Sequence, residues 1–417
     1  MHTFALLMLL AAEPSEVEPE AKEEAPDWNH GFHLTGEWGG GRTWLEEHGI
    51  TFDIIYAAEV IANAAQQTGG QNATVTGHLD LAITIETEDL GLWPGGKFYA
   101  VGQTNHGQGI NELVGSTSEI SNIEAKPYIQ LGEFFFEQAL FKELSSLPSS
   151  SAPGPLITLR LGKQDANREF GTPRFGGNFL NNNFGLIPST PFPSYPTNGL
   201  GATVVVQPVE WLAIKAMIIE GKPQVGSFGF DTAFVPDAGH FFIAGVAAKH
   251  TFGPNDRSTG TSSAGFFRQQ GPMPDLTDDA PEPRMLESNY GFYVQHDERI
   301  YLHPEDKDDP RCLTVISRLG WSQPDRTVMP FFVGTSVAWH GMGSRQDDTV
   351  GIGFGYFTVA QQRHGTPGLG REFFVELFYK WRLTHFISLQ PDLQYYRTPG
   401  GDGQDALLVG VRLKLKG

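Results

Sequence analysis

Polar side chains recur at every second position along several stretches of this 417-residue chain. Glu372, Glu376 and Lys380 share the even positions of 371–382, with Phe374 and Phe378 between them. Gln390, Asp392, Gln394 and Tyr396 do the same in the next stretch, and Arg412 in the last. Upstream, Asp53 and Glu59 fall on one parity, as do His78, Asp80 and Glu86, and then Arg160 and Gln164. Carboxylates accept hydrogen bonds, amides donate and accept, and guanidinium offers a planar fork of donors. Rows of such groups can exchange hydrogen bonds with a polar solute or pair with one another across a wall. A second group is concentrated in a long Gly-, Asn- and Pro-rich segment, 166–198, carrying Arg168, Arg174, Asn178, Asn181, Asn182 and Asn183.

Nothing in the sequence adds bond-breaking chemistry. No Gly-x-Ser-x-Gly elbow is present, and the triple glycine at 39–41 lacks the Gly-Lys-Ser/Thr ending of a phosphate loop. The run Asp306 to Asp309 lacks the glycine and glutamate of a calcium loop. The carboxylate pairs Asp347/Asp348 and Glu305/Asp306 fall in expected turns, with no cleft indicated. One cysteine, Cys312, excludes an intrachain disulfide, and no His/Cys spacing suggests a metal site. The reading is therefore no enzyme, no cofactor and no metal. A net charge of -19 argues against nucleic acid as a partner.

The period of these residues dictates the elements that hold them. In 371–382 the odd positions Phe373, Val375, Leu377, Tyr379 and Trp381 form a wholly apolar face. Ile387, Leu389, Leu393 and Tyr395 repeat it, then Leu407, Val409, Val411, Leu413 and Leu415. Leu79, Leu81, Ile83 and Ile85 oppose His78 and Asp80 in the same way, and Phe52, Ile54 and Tyr56 oppose Asp53. Period two means strand. A soluble sandwich also alternates, but here the apolar face lasts about ten residues, enough for a tilted strand to cross a bilayer. Aromatic residues such as Tyr379, Trp381, Tyr395 and Trp321 gather near strand ends, where a bilayer has its interface.

About sixteen strands are expected: 50–64, 75–88, 97–105, 126–138, 156–165, 199–207, 210–221, 239–252, 258–269, 289–303, 311–321, 328–341, 348–359, 371–382, 385–397 and 404–416. The weakest is 258–269, rich in Ser, Thr and Gly. This count sorts the longest loops, 106–125, 166–198, 222–238 and 270–288, onto one side, and leaves mostly short turns on the other. The fold class is all-β: a transmembrane antiparallel up-and-down barrel with a short N-terminal helix. That helix is expected over Arg42 to His48, stopped by Gly49, with Trp38, Trp44 and Leu45 as its apolar side. Residues 1–12 look like a signal-peptide core, 13–33 an acidic linker, and 34–417 the barrel.

Long motifs then resemble the carbohydrate-selective porins of the OprB type. They are Leu34-Thr-Gly-Glu-Trp-Gly-Gly with Gly49-Ile-Thr-Phe-Asp53, and Leu161-Gly-Lys-Gln-Asp-Ala-Asn167 with Asn181-Asn-Asn-Phe-Gly185 and Tyr195-Pro-Thr-Asn-Gly-Leu-Gly201. Further on come Leu319-Gly-Trp-Ser-Gln-Pro-Asp-Arg326, Asp347-Asp-Thr-Val-Gly-Ile-Gly353 and Leu389-Gln-Pro-Asp-Leu-Gln-Tyr-Tyr396 with Pro399-Gly-Gly401. The resemblance implies a sixteen-stranded bacterial outer-membrane barrel that lets sugars diffuse inward, narrowed by infolded extracellular loops. On that reading the period-two residues named above line the pore and touch solute, and 166–198 is the constriction loop. Partners are outer-membrane lipid, carbohydrate solutes and the barrel-assembly machinery, with a homo-oligomer left open. The match is poor over 253–288. The chain also ends Leu-Lys-Leu-Lys-Gly, without the terminal aromatic usual in such barrels, at a position expected on the lipid face.

Overall fold

The computed structural model describes residues 33–65, 72–141, 155–225, 239–278, 280–363 and 366–417. The signal-like segment and nearly all of the linker lie outside the described residues. Sixteen strands close into one barrel: β1 (Ile50–Asn63), β2 (Ala73–Glu86), β3 (Gly96–Gly107), β4 (Tyr128–Leu140), β5 (Ile157–Gln164), β6 (Gly199–Val209), β7 (Leu212–Glu220), β8 (His240–Phe252), β9 (Ser258–Pro274), β10 (Met285–Tyr301), β11 (Cys312–Ser322), β12 (Phe331–Met342), β13 (Arg345–Arg363), β14 (Thr366–Arg382), β15 (Ile387–Arg397) and β16 (Ala406–Lys416). Every strand pairs antiparallel with its sequence neighbours, and β1 pairs with β16 from Ile55↔Lys416 to Asn63↔Leu408. Closure leaves no edge, so every backbone ladder can be satisfied within a bilayer.

The outer wall follows the expected parity. Ile352, Leu377, Leu393 and Val409 are exposed around its middle. Trp93, Trp211, Trp339 and Trp381 ring the end with short turns, and Tyr290, Phe292 and Tyr395 ring the end with long loops. That is the aromatic girdle of a bilayer-spanning barrel, with short turns facing the periplasm.

The weak strand is real and longer than expected, running to Pro274. Its small residues make room for a ring: a Cβ on Gly265 would meet Tyr293 Cε1 at 2.4 Å. β13 and β14 also run further, to Arg363 and from Thr366, so most of the loop expected at 360–370 is strand.

The N-terminal helix, α1 (Gly41–Glu47), ends before Gly49, whose φ of 75° needs glycine. Its expected apolar side is corrected. Trp38 and Trp44 are exposed, and the buried residue is Arg42, which bonds His33, Thr35 and the carbonyl of Phe52. Trp38 instead meets Phe52 edge-on at the rim of the outer wall. Gly417 is likewise buried rather than facing lipid, its N–H donating to the Ile54 carbonyl at 2.7 Å.

Candidate functional site

The loop 165–198 between β5 and β6 lies across the inside of the barrel. Asp165 caps its first turn, α2 (Ala166–Phe170), by accepting from the Arg168 N–H at 3.1 Å. The loop carries its own apolar core. Phe179 stacks near Phe184 (4.4 Å) and meets Phe378 of β14 edge-on (4.9 Å), while Phe184 meets Phe374 (5.7 Å). The wall supplies seats for these rings: inward-facing Gly351, Gly353 and Gly355 of β13 lie beneath Phe378, Phe184 and Phe374.

Polar anchors complete the attachment. The N–H groups of Leu180 and Asn181 donate to the two oxygens of Glu376, at 2.7 and 2.9 Å. The Asn181 amide donates to Gln394 (3.0 Å) and to the Tyr396 hydroxyl (2.5 Å). Gln390 donates to the Asn178 carbonyl at 2.8 Å, and Asn183 folds back onto the Asn181 side chain. Arg318 of β11, 3 % exposed, donates to the carbonyls of Gly171, Asn183 and Leu186. Arg174, at the far side of the loop, binds Asp297 and Thr259.

A second loop, 108–127 between β3 and β4, joins the first. Ser121 and Asn181 form a β-bridge, and Asn122 bonds the carbonyls of Leu180 and Phe179. Glu372 accepts from Ser116, from the Thr117 N–H and from the Gly400 N–H. Glu372, Glu376, Gln394 and Tyr396 thus point inward as their parity demands, yet each is fully covered. In this structure they hold the infolded loops to the wall.

Other sequence-selected residues belong to the wall. Arg412 bridges to Glu59 directly across the β1–β16 seam, at 2.5 Å, and to Asn122 and Ser121. Asp392 accepts from Gln394 at 2.9 Å. Arg160 pairs with Glu137 and Glu169, and Gln164 is taken up by Thr203 and the Gly201 carbonyl. Asp53 and Glu86 sit half-buried towards the short-turn end.

The open space lies beside the loops. One cavity of about 920 Å³, continuous with solvent, is lined by Asp80, Tyr99, Gln103, Asn122, Glu133, Arg168, Asn182 and Tyr195 among others. A second, of about 550 Å³ including space open to solvent, is lined by His78, Lys380, Gln390, Arg412 and Lys414 among others. Both touch Asn122 and Gly177. In the first, Arg168 is paired with Glu133 and lies 5.5 Å over the Tyr99 ring. Asp80 accepts from His78 (3.0 Å) and Gln103 (2.9 Å). Glu133, Tyr99, Asn122, Tyr195 and Arg318 were not singled out from the sequence. Around Glu133 the triplet Phe134-Phe135-Phe136 blurs period two, and the β3–β4 register shifts there.

Glu124 of the second loop is 7 % exposed and accepts from the N–H groups of Asn111 (2.7 Å) and Ser121 (3.4 Å). Burial first, then Glu119 and Glu59, pushes its carboxyl up to about 8 against those two bonds. The folded loop therefore holds a proton that the unfolded chain has lost. Its contribution is fully present below about 4.5 and declines as pH rises through about 8. Amide exchange protection over 110–124 should fall by on the order of tenfold per pH unit between about pH 5 and 8, and level off above that. Glu124→Gln should abolish that decline; an unchanged profile in the variant would show that another group titrates.

A closed sixteen-stranded barrel with an apolar outer belt, two aromatic girdles and loops folded across a polar bore is an outer-membrane channel. The family model described as carbohydrate-selective porin, OprB family, matches residues 70–416. The chain belongs to this family, and it is an outer-membrane channel for passive diffusion of carbohydrates. Porin B of Pseudomonas aeruginosa is 21 % identical over an alignment that covers 91 % of this chain and 90 % of that protein. The high-pH structure of Pseudomonas putida OprB superposes with a TM-score of 0.78 at 17 % identity, covering 94 % of this chain and 100 % of that one. The low-pH structure of the same protein gives 0.60 at 15 % identity, over 93 % and 99 %.

Proposed function

We propose that sugars cross the barrel through the space lined by Asp80, Tyr99, Gln103, Asn122, Glu133 and Arg168, then past His78, Lys380, Gln390 and Arg412. One observation supports this path: the two cavities share the lining residues Asn122 and Gly177, and so adjoin beside the loops. Sugars present hydroxyl arrays and apolar ring faces. Carboxylates, amides and guanidinium match the hydroxyls, and the Tyr99 and Tyr195 rings offer flat apolar surface. Selection needs only fixed polar groups and a constriction, so no covalent step is involved.

Liposomes carrying the purified barrel test this directly. Swelling in glucose should exceed swelling in an amino acid of equal size by at least several-fold. Equal swelling in both would mean a general small-solute porin, and none in either an occluded structural barrel.

A further inference from the structure

The outer wall carries a polar cluster that transport does not use. His250 of β8, Gly260 of β9 and Glu298 of β10 stand in one row across three strands, with His296 and Ser262 paired beside it. These side chains share the outward face with Val246, Phe266, Phe292 and Val294. They lie near the short-turn end, since β8 ends at Phe252 and β10 at Tyr301.

The geometry points to a binding site for a divalent transition-metal ion of the zinc class, held by His250, His296 and Glu298. One donor atom from each lies within 4.8 Å of the other two. His296 Nε2 is 3.0 Å from Glu298 Oε1, and His250 Nε2 is 3.5 Å from the same oxygen. The two imidazoles are parallel within 8°, with centroids 5.7 Å apart. Two imidazoles and a carboxylate are a recognised zinc donor set, leaving a fourth position for water.

Two neighbours build the site rather than merely surround it. Ser262 Oγ lies 2.8 Å from His296 Nδ1 and can hold the proton there, so that Nε2 presents its lone pair toward Glu298. Gly260 lies beneath the donors: a Cβ there would meet His250 Nε2 at 2.3 Å and Glu298 Cγ at 3.1 Å. Any larger residue at this position would fill the space where the three donors converge. Bound metal would tie β8 to β10 across the Ser- and Gly-rich start of β9, the stretch with least strand propensity. Local spacing could not reveal this set, because only the β8–β9–β10 pairing brings the two histidines together.

The test uses untagged, full-length barrel in detergent, titrated with Zn²⁺ alone and, separately, with Co²⁺. One ion per chain should bind, with the visible bands of low-coordinate Co²⁺. His296→Ala and Gly260→Val should each weaken that affinity by about 100-fold, the first by removing a donor and the second by filling the site with every donor retained. Zn²⁺ should also raise the melting temperature of the parent and not of the variants. Glucose-driven swelling should be unchanged in all three, and heat-dependent gel mobility reports that each is folded. Because Gly260→Val keeps the ligands, it stands even where a histidine variant fails to fold. Equal Zn²⁺ affinity in parent and variants, or no uptake by the parent, overturns the site.

Discussion

Arg318→Ala should release the 165–198 loop from the wall and widen the bore. Arg318 is buried on β11, and its guanidinium serves the carbonyls of Gly171, Asn183 and Leu186, three separated points of the 165–198 loop. Each buried carbonyl left without a donor costs about 1–3 kcal/mol. The loss of attachment should therefore be on the order of 3–5 kcal/mol, the range for removing one member of a buried charged network. Such a loss is enough to shift the loop from the wall for a large fraction of the time. Single-channel conductance should rise, and discrimination between glucose and larger oligosaccharides should fall. Arg318→Lys should resemble alanine more than the parent, since one ammonium cannot span three carbonyls in a planar fork. Conductance and exchange protection of 171–186 that match the parent in both variants would sink this role.

The barrel was legible in the sequence because period two survives at the lipid face. Leu377, Leu393 and Val409 must be apolar whatever the bore does, so parity located sixteen strands and assigned Glu376, Gln394 and Arg412 to the interior. What those groups do inside was not legible. Parity separates inside from outside, but it cannot tell open bore from a wall covered by loop. Parity alone therefore could not show that Glu376 and Tyr396 bond the loop at Leu180 and Asn181. The loop 165–198 stood out by its length and its Asn, Gly and Pro content. The loop 108–127 was legible only as one of the long ones, because its hold on 165–198 depends on pairing Ser121 with Asn181, a contact between distant segments. Arg318 faces inward by the same parity as its neighbours, and only the positions of three loop carbonyls mark it out. The Glu59–Arg412 pair was missed for a related reason: both residues were read as inward, but their adjacency exists only once the first and last strands meet.

The glycine stripe of β13 carries the other large effect. Gly353 faces inward beside Glu376, its register partner on β14, and a Cβ there would meet Phe184 Cζ at 2.2 Å. Phe184 is 1 % exposed and is held between Phe179 and Phe374, so its ring has nowhere to retreat while the loop stays seated. Valine favours strand structure, so Gly353→Val should leave β13 and the closed barrel intact. Its cost falls on the loop: overpacking of about 1–3 kcal/mol, together with disturbance of the Glu376 clamp one strand away. Exchange protection of 179–186 should drop, and conductance should become larger and noisier. Phe184→Ala alone should also loosen the loop, through a cavity worth about 3–5 kcal/mol. Joined to Gly353→Val, the alanine frees the space the valine needs, so the double variant should lose clearly less than the sum of the two. Additive losses would mean that ring and glycine do not meet, and that the seat assigned to the loop on β13 is wrong.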